Sequence, residues 1–242
     1  MQDGNCKSAR CKNGAMDVVD PRAATDGRWA MTASVLRTID RRTTGAAVIV
    51  VLIALFSSIA IRAQGPYQAQ RAFEAGMYQQ VVDAAAASAD PSVLFLGALS
   101  AQKLDATDRA NTFLDQLVQR PSTDAWHFVG QSAKQLLAGD AEAALDSARR
   151  GTAADPALPE ASYALGLVLV NRQDWGGAAG AFDRASMLNP SFAHAYYYAG
   201  LSHYRANRPD LMAARFERFL KLAPDAPERT EVQQIMRTIR GR

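Results

Sequence analysis

Cysteine is nearly absent from this chain. Only Cys6 and Cys11 occur in 242 residues, and both precede an apolar run, so the remainder has neither a disulfide nor a thiol nucleophile. With no histidine or second cysteine pair beside them, they are weak as metal ligands. The three histidines, His127, His194 and His203, fall in no HExxH or similar ligand spacing, and the chain has no GxSxG elbow, no GxxxxGK[ST] loop and no GxGxxG after a strand. His194 and His203 are about two and a half helical turns apart, which points them to opposite sides. Gly176 and Gly177 fall in the first turn of a helix, where close packing explains them better than a ligand. Convincing strand candidates are also missing. Aromatic residues make up 8% of a chain that is 48% hydrophobic, the composition of an alanine-rich helical protein.

A basic surface is missing too, despite a formal charge of +3. Residues 1–63 carry nine Lys and Arg against five Asp, which leaves 18 basic and 19 acidic residues in the rest, a net −1. A phosphate-binding face is not supported, and no nucleic-acid partner is expected.

The positive excess belongs to a leader. Gly45 to Ile61 contains no charge and is flanked by Arg37, Arg41, Arg42 and Arg62, the layout of a secretory signal or a short signal anchor. A spanning helix needs about 17 to 20 apolar residues, so the run sits on the boundary between the two. Ser58 and Ala60 place small residues where a signal peptidase reads, which favours cleavage and a mature start between Ile61 and Gly65. No cysteine follows the run, so a lipidated N-terminus is excluded. Thr44 and Gly45 stand where a twin-arginine signal built on Arg41-Arg42 wants bulky apolar residues. The expected organisation is 1–44 as an irregular or n-region, with Met31 as an alternative start, 45–63 as a signal peptide or single anchor, and 64–242 as the folded body.

That body is periodic. Pro156, Pro190 and Pro224 recur every 34 residues, as do Ala144, Ala178 and Met212, while Gly166 to Gly200 and Phe182 to Phe216 repeat the interval. A 34-residue period with small, aromatic and proline columns in this order resembles the tetratricopeptide repeat (TPR). The match is strongest over Pro159–Phe192 and Ala193–Ala226. It continues over Ala125–Leu158, where Gln131-Ser132 replaces Leu-Gly. Upstream the phase is read as slipping: Val93, Leu96-Gly97, Ala110, Leu114 and Pro121 keep the order, with one residue inserted before Ala110 and one lost before Pro121, a degenerate repeat from about Asp90 to Asp124. Tyr67–Gly76 and Tyr78–Ala89 read as one more helix pair. Beyond Pro224, Val232, Ile235, Met236 and Ile239 mark an amphipathic capping helix. The expected fold class is all-α, a right-handed superhelical solenoid of four to five helix pairs with a cap. Gly166 and Gly200 are expected where helices approach closely, and Phe182 and Phe216 between neighbours.

In this family the ligand face comes from the second, fifth, ninth, twelfth and thirteenth places of each first helix. The resemblance therefore implies a groove formed by His194, Tyr197, Leu201, Tyr204 and Arg205, by Glu160, Tyr163, Leu167, Val170 and Asn171, and by Trp126, Val129, Ala133, Leu136 and Leu137. The candidate contacts are Trp126, Glu160, Tyr163, Asn171, His194, Tyr197, Tyr204 and Arg205. Tyr196 and Phe216 belong to packing columns, whereas Tyr163, Tyr197 and Tyr204 fit core and interface alike. Members that clamp a peptide carboxylate use groove lysines. This register puts none there, with Lys134 one place past a groove position and Lys103 in the degenerate repeat, so an extended or helical peptide with apolar anchors fits better.

The expected function is a non-catalytic protein-protein interaction module, without cofactor or metal. It would bind an envelope partner and be exported, periplasmic or anchored to the inner membrane facing outward, touching membrane only through an uncleaved N-terminal segment. The alternatives are an enzyme with a site grafted on the solenoid and a structural spacer with an empty groove.

Overall fold

The computed structural model of the chain describes residues 65–240. The apolar run, both cysteines, Met31 and the Arg41-Arg42 pair lie outside the described residues. Eleven helices and no strand are found among them. Five antiparallel pairs follow one another: α1 (residues 65–74) with α2 (Tyr78–Ala86), α3 (Pro91–Lys103) with α4 (Thr107–Val118), α5 (Ala125–Leu137) with α6 (Ala141–Ala154), α7 (Pro159–Asn171) with α8 (Trp175–Leu188), and α9 (Ala193–Arg205) with α10 (Pro209–Leu222). The last helix, α11 (Arg229–Arg240), covers the open end, with Val232 and Met236 buried against the last pair.

The period holds further upstream than the side chains suggest. First helices begin at Pro91, Ala125, Pro159 and Ala193, and second helices at Thr107, Ala141, Trp175 and Pro209, a 34-residue interval throughout. The turn inside each of the last four pairs repeats it: Asp105, Gly139, Gln173 and Asn207 all have φ between 55° and 83°. One residue further on, the N–H groups of Ala106, Asp140, Asp174 and Arg208 donate back to the carbonyls of Ala101, Gln135, Leu169 and His203, the bond that closes a helix through a left-handed residue. The apparent slip before Ala110 therefore does not exist in the backbone. Ala98, not Gly97, shares the frame of Ser132, Gly166 and Gly200. Only the end of α4 is out of step, two residues shorter than its counterparts and made up by the loop through Pro121.

Small residues at that frame position let the two helices of a pair close. A Cβ added to Gly166 would lie 2.6 Å from Phe182, and one added to Gly200 would lie 2.5 Å from Phe216, within any possible contact distance. Ala98 and Ser132 are fully buried at the equivalent places, and the Ser132 hydroxyl satisfies itself by donating to the Ala144 carbonyl at 3.0 Å. The opposing column, Leu114, Ala148, Phe182 and Phe216, is buried throughout. Gly176 differs: nothing lies within 4 Å of a Cβ added there, so packing does not account for it, and Gly177 sits against its own capping residue Asp174.

Aspartates start several helices. Asp90, Asp124, Asp140 and Asp174 each accept a backbone N–H from the first turn that follows, as N-cap residues do. Phe192, at the head of α9, has no such side chain. Its helix is capped from elsewhere: Glu74 of α1 accepts the Ala193 N–H at 2.7 Å.

That bond belongs to a seam joining the two ends of the solenoid. Gln70 donates to the Ser191 carbonyl at 2.9 Å, and the Phe73 ring lies 4.5 Å from the His194 ring. A Cβ on Gly76 would touch Pro227 at 3.0 Å. Arg71, Glu74 and Ala75 line a crevice together with the chain from Leu222 to Asp225. The first helix thus packs on the start of the last repeat, across 119 positions of sequence.

Candidate interaction groove

Between the first helices of consecutive pairs lies an open cavity of about 360 Å³. Its walls are set by the frame just described. The ninth, twelfth and thirteenth residues of α3 are Leu99, Gln102 and Lys103, those of α7 are Leu167, Val170 and Asn171, and α5 contributes its twelfth, Leu136; all seven line the cavity. Phe73, Tyr163 and Tyr198 close its floor. Apolar side chains dominate, with Gln102, Lys103 and Asn171 as polar groups. Such a mix suits a ligand with apolar anchors oriented by a few hydrogen bonds.

The presence of Lys103 corrects the expectation of a lysine-free groove. Counting the degenerate repeat from Asp90 shifted its places by one; counting from the first residue of α3 puts Lys103 in the thirteenth place, level with Asn171 and Arg205. Its ammonium lies 3.8 Å from the Glu228 carboxylate.

The eight candidate contacts separate into groups. Tyr163 and Asn171 line the cavity. Tyr163 is nevertheless core, 1% exposed, with ring contacts to Phe95, Phe182, Phe192 and Tyr198. The whole fifth-place column, Phe95, Val129, Tyr163 and Tyr197, is buried, because the facing helices converge there and the rings interlock edge to face. Tyr197 turns its hydroxyl to the cap and donates to Glu231 at 2.9 Å. Burial and that acidic partner push its phenol well above the usual range. His194 is fully buried against Phe73, with its Nε2 3.5 Å from Glu228. Trp126 is half-buried and packs edge-on against Phe95 at 6.3 Å. Glu160 is half-buried, and burial raises its carboxyl. Tyr204 is 40% exposed, and Arg205 reaches over the Trp175 ring at 5.9 Å; neither lines the cavity.

Sequence reasoning missed Phe73, Gln102, Lys103, Tyr198 and Glu228. Glu228 is the centre of a buried polar group. Tyr78 donates to it at 3.5 Å, and His194 and Lys103 flank it. Burial alone would raise its carboxyl, but the close approach of His194, with the Lys103 charge beyond, holds it below the ordinary value. The same site pushes Tyr78 and Tyr198 up to about 12, mainly through burial and then through the acidic neighbour. His203, on the other side of α9, meets the Asp183 carboxylate at 3.0 Å. His127 places Nδ1 2.8 Å from the Val118 carbonyl.

Helix pairs stepping by 34 residues, a column of small residues facing a buried column that is aromatic in the last two repeats, and an amphipathic cap at the end define the architecture. The fold is a tetratricopeptide-repeat solenoid. Among solved structures, a crystal structure of MamA is similar at 20% identity, with a TM-score of 0.42, over 61% of this chain and 83% of that one. The first TPR of Spaghetti (RPAP3) bound to the HSP90 peptide SRMEEVD is similar at 22% identity, with a TM-score of 0.46, over 51% of this chain and 96% of that one. The first TPR domain of human RPAP3, solved by NMR, gives 21% identity and 0.45 over 50% and 93%. No protein-family model and no curated protein matches the chain.

Among the described residues, no group of three or more His, Cys, Asp or Glu could hold a metal ion. No described helix is long and apolar enough to cross a membrane.

Proposed function

We propose that the chain is a non-catalytic protein-interaction module that takes an extended or helical peptide with apolar anchors into the cavity between α3, α5, α7 and α9. The observation that carries this reading is the cavity wall. Leu99, Leu136, Leu167 and Val170 come from three successive repeats at equivalent places, left open to solvent, with Gln102, Lys103 and Asn171 beside them. A peptide lying there crosses one repeat after another and meets the same chemistry at each step. Lys103 adds a group able to orient an acidic or carbonyl group of that peptide.

The proposal extends to location. The apolar run from Gly45 to Ile61 behind its arginines supports export, with an envelope protein as the partner. N-terminal sequencing of the protein from its native cells is expected to begin between Ile61 and Gly65; a chain still carrying residues before Gly45 and extracted only by detergent would make the run an anchor.

A photo-crosslinking residue at Leu136 or Val170 tests the groove. In intact cells both positions are expected to capture one and the same partner, and Leu167→Glu in the same chain should abolish the product. Capture only from the exposed Asp146 on α6, with none from either cavity position, would move the binding surface off the groove.

A further inference from the structure

The cavity stops short of the head of α9, because that part of the concave face is already occupied. The second and fifth places of α9 are His194 and Tyr197. His194 is fully buried beneath the ring of Phe73, 4.5 Å away, and the next residue, Glu74, accepts the Ala193 N–H at 2.7 Å. A carboxylate at the unpaired N–H groups of a helix start is a favourable anion contact, and here it replaces the side-chain cap that Phe192 cannot provide. Gln70, one turn earlier on α1, adds a bond to the Ser191 carbonyl and receives one from Asn189. An aromatic ring in a pocket, a carboxylate on a helix N-terminus and an amide on the adjoining loop are how a bound helix would be recognised. The occupant is a segment of the same chain, described over residues 65–74, at the first end of the solenoid.

We propose that α1 is an intramolecular ligand of the last repeat, held where a helix of a partner protein presenting an aromatic residue followed by a carboxylate would otherwise dock. This deepens the groove reading by naming the partner's chemistry, and rests on it. Displacing α1 lengthens the groove from the open cavity to the head of α9, so one binding event frees His194, the α9 N-terminus and the wall at Lys103. Lys103 and Tyr78 hold the neighbouring Glu228 across the same seam, so the seam parts as a unit. An attached ligand competes at a high effective concentration, on the order of millimolar for a short tether, and only a partner with both features displaces it.

The probe is a labelled synthetic peptide of residues 65–76, titrated into the full chain and followed by fluorescence anisotropy. The full chain carrying Phe73→Ala, whose own helix has lost its anchor, is expected to bind the peptide at least ten-fold more tightly than the wild-type chain. A peptide in which the Phe and the Glu are both replaced by Ala should lose that binding. If Phe73→Ala costs the chain its helical circular dichroism, Gln70→Ala with Glu74→Ala takes its place, since it removes the polar contacts and keeps the Phe73 ring. Asp146→Ala, on the exposed face of α6 and outside the cavity, should leave peptide binding unchanged, and the crosslinks at Leu136 and Val170 test the groove reading apart from this, so the two readings fail separately. Equal binding by wild-type and variant chains, binding by neither, equal binding of the altered peptide, or loss of binding on Asp146→Ala each overturns the proposal. A concentration-dependent dimer of the wild-type chain in sedimentation would hand the site to the first helix of a second copy and overturn the partner reading.

Discussion

The carboxylate of Glu74 caps a helix that begins 119 residues later, accepting the N–H of Ala193 at 2.7 Å. Helices α3, α5, α6 and α8 take their caps from the residue just before them, so this one bond links local helix formation in the last repeat to the presence of the first. Glu74→Ala should cost about 0.5–2 kcal/mol, the usual range for a lost N-cap. Hydrogen exchange is expected to quicken in α1 and in the first turn of α9, with α5 to α8 unchanged; a uniform increase along the chain would show that the bond does not join the ends.

Gly200 faces Phe216 so closely that an added Cβ would lie 2.5 Å from the ring. Gly200→Leu therefore overpacks the α9–α10 contact and should destabilise the chain by about 1–3 kcal/mol. An unchanged midpoint in thermal unfolding would contradict the frame of the last repeat.

Tyr163 and Tyr204 are seven places apart in the repeat pattern and opposite in burial, 1% and 40% exposed. Tyr163→Ala empties a core position touched by four rings and should cost about 3–5 kcal/mol. Tyr204→Ala should stay within about 0.5 kcal/mol, as at other surface sites. Urea unfolding of the two variants side by side checks the contrast.

Asp183 sits between His203 at 3.0 Å and Arg215 at 2.5 Å. Burial alone would raise its carboxyl, but the hydrogen bonds and charges of Arg215 and His203 hold it below 3.8. A carboxyl lowered in the folded state lends stability that is present above its unfolded value and lost as the pH falls through the lowered one. Asp183→Asn should therefore lower the melting temperature at pH 7, and the gap from wild type should narrow once the pH drops below 3.8. Glu74 has the opposite sign, since burial raises its carboxyl: Glu74→Gln should match wild type in acid and gain on it as the pH rises through the raised value. A pH-independent gap for Asp183→Asn would exclude the ionised carboxylate as the source of its contribution.

The 34-residue step was legible wherever a column demands one kind of side chain. Gly166 and Gly200 face rings that leave no room for a Cβ, and Pro156, Pro190 and Pro224 each follow the end of a second helix, so steric exclusion wrote the period into residue identity. It was illegible where a backbone geometry accepts several residues. The left-handed turn position is filled by Asp105, Gly139, Gln173 and Asn207, and Ala98 and Ser132 replace glycine in the small column, so upstream the side-chain pattern aligns on Gly97 and leaves Lys103 in a degenerate repeat without a groove place.

By itself the sequence determined the all-α class, the helix pairs, the frame of the last two repeats and the amphipathic cap, because each rests on contacts between near neighbours that recur with the helix and repeat periods. Only the tertiary structure decided which groove places stay open. Periodicity assigns Tyr163, His194 and Tyr197 to a face, and that face becomes core or surface according to what packs on it. The interlocking of Phe95 with Tyr163, of Phe73 with His194 and of Tyr197 with the cap depends on how tightly five helix pairs curve. Curvature is the sum of small rotations at every interface, and no single residue encodes it.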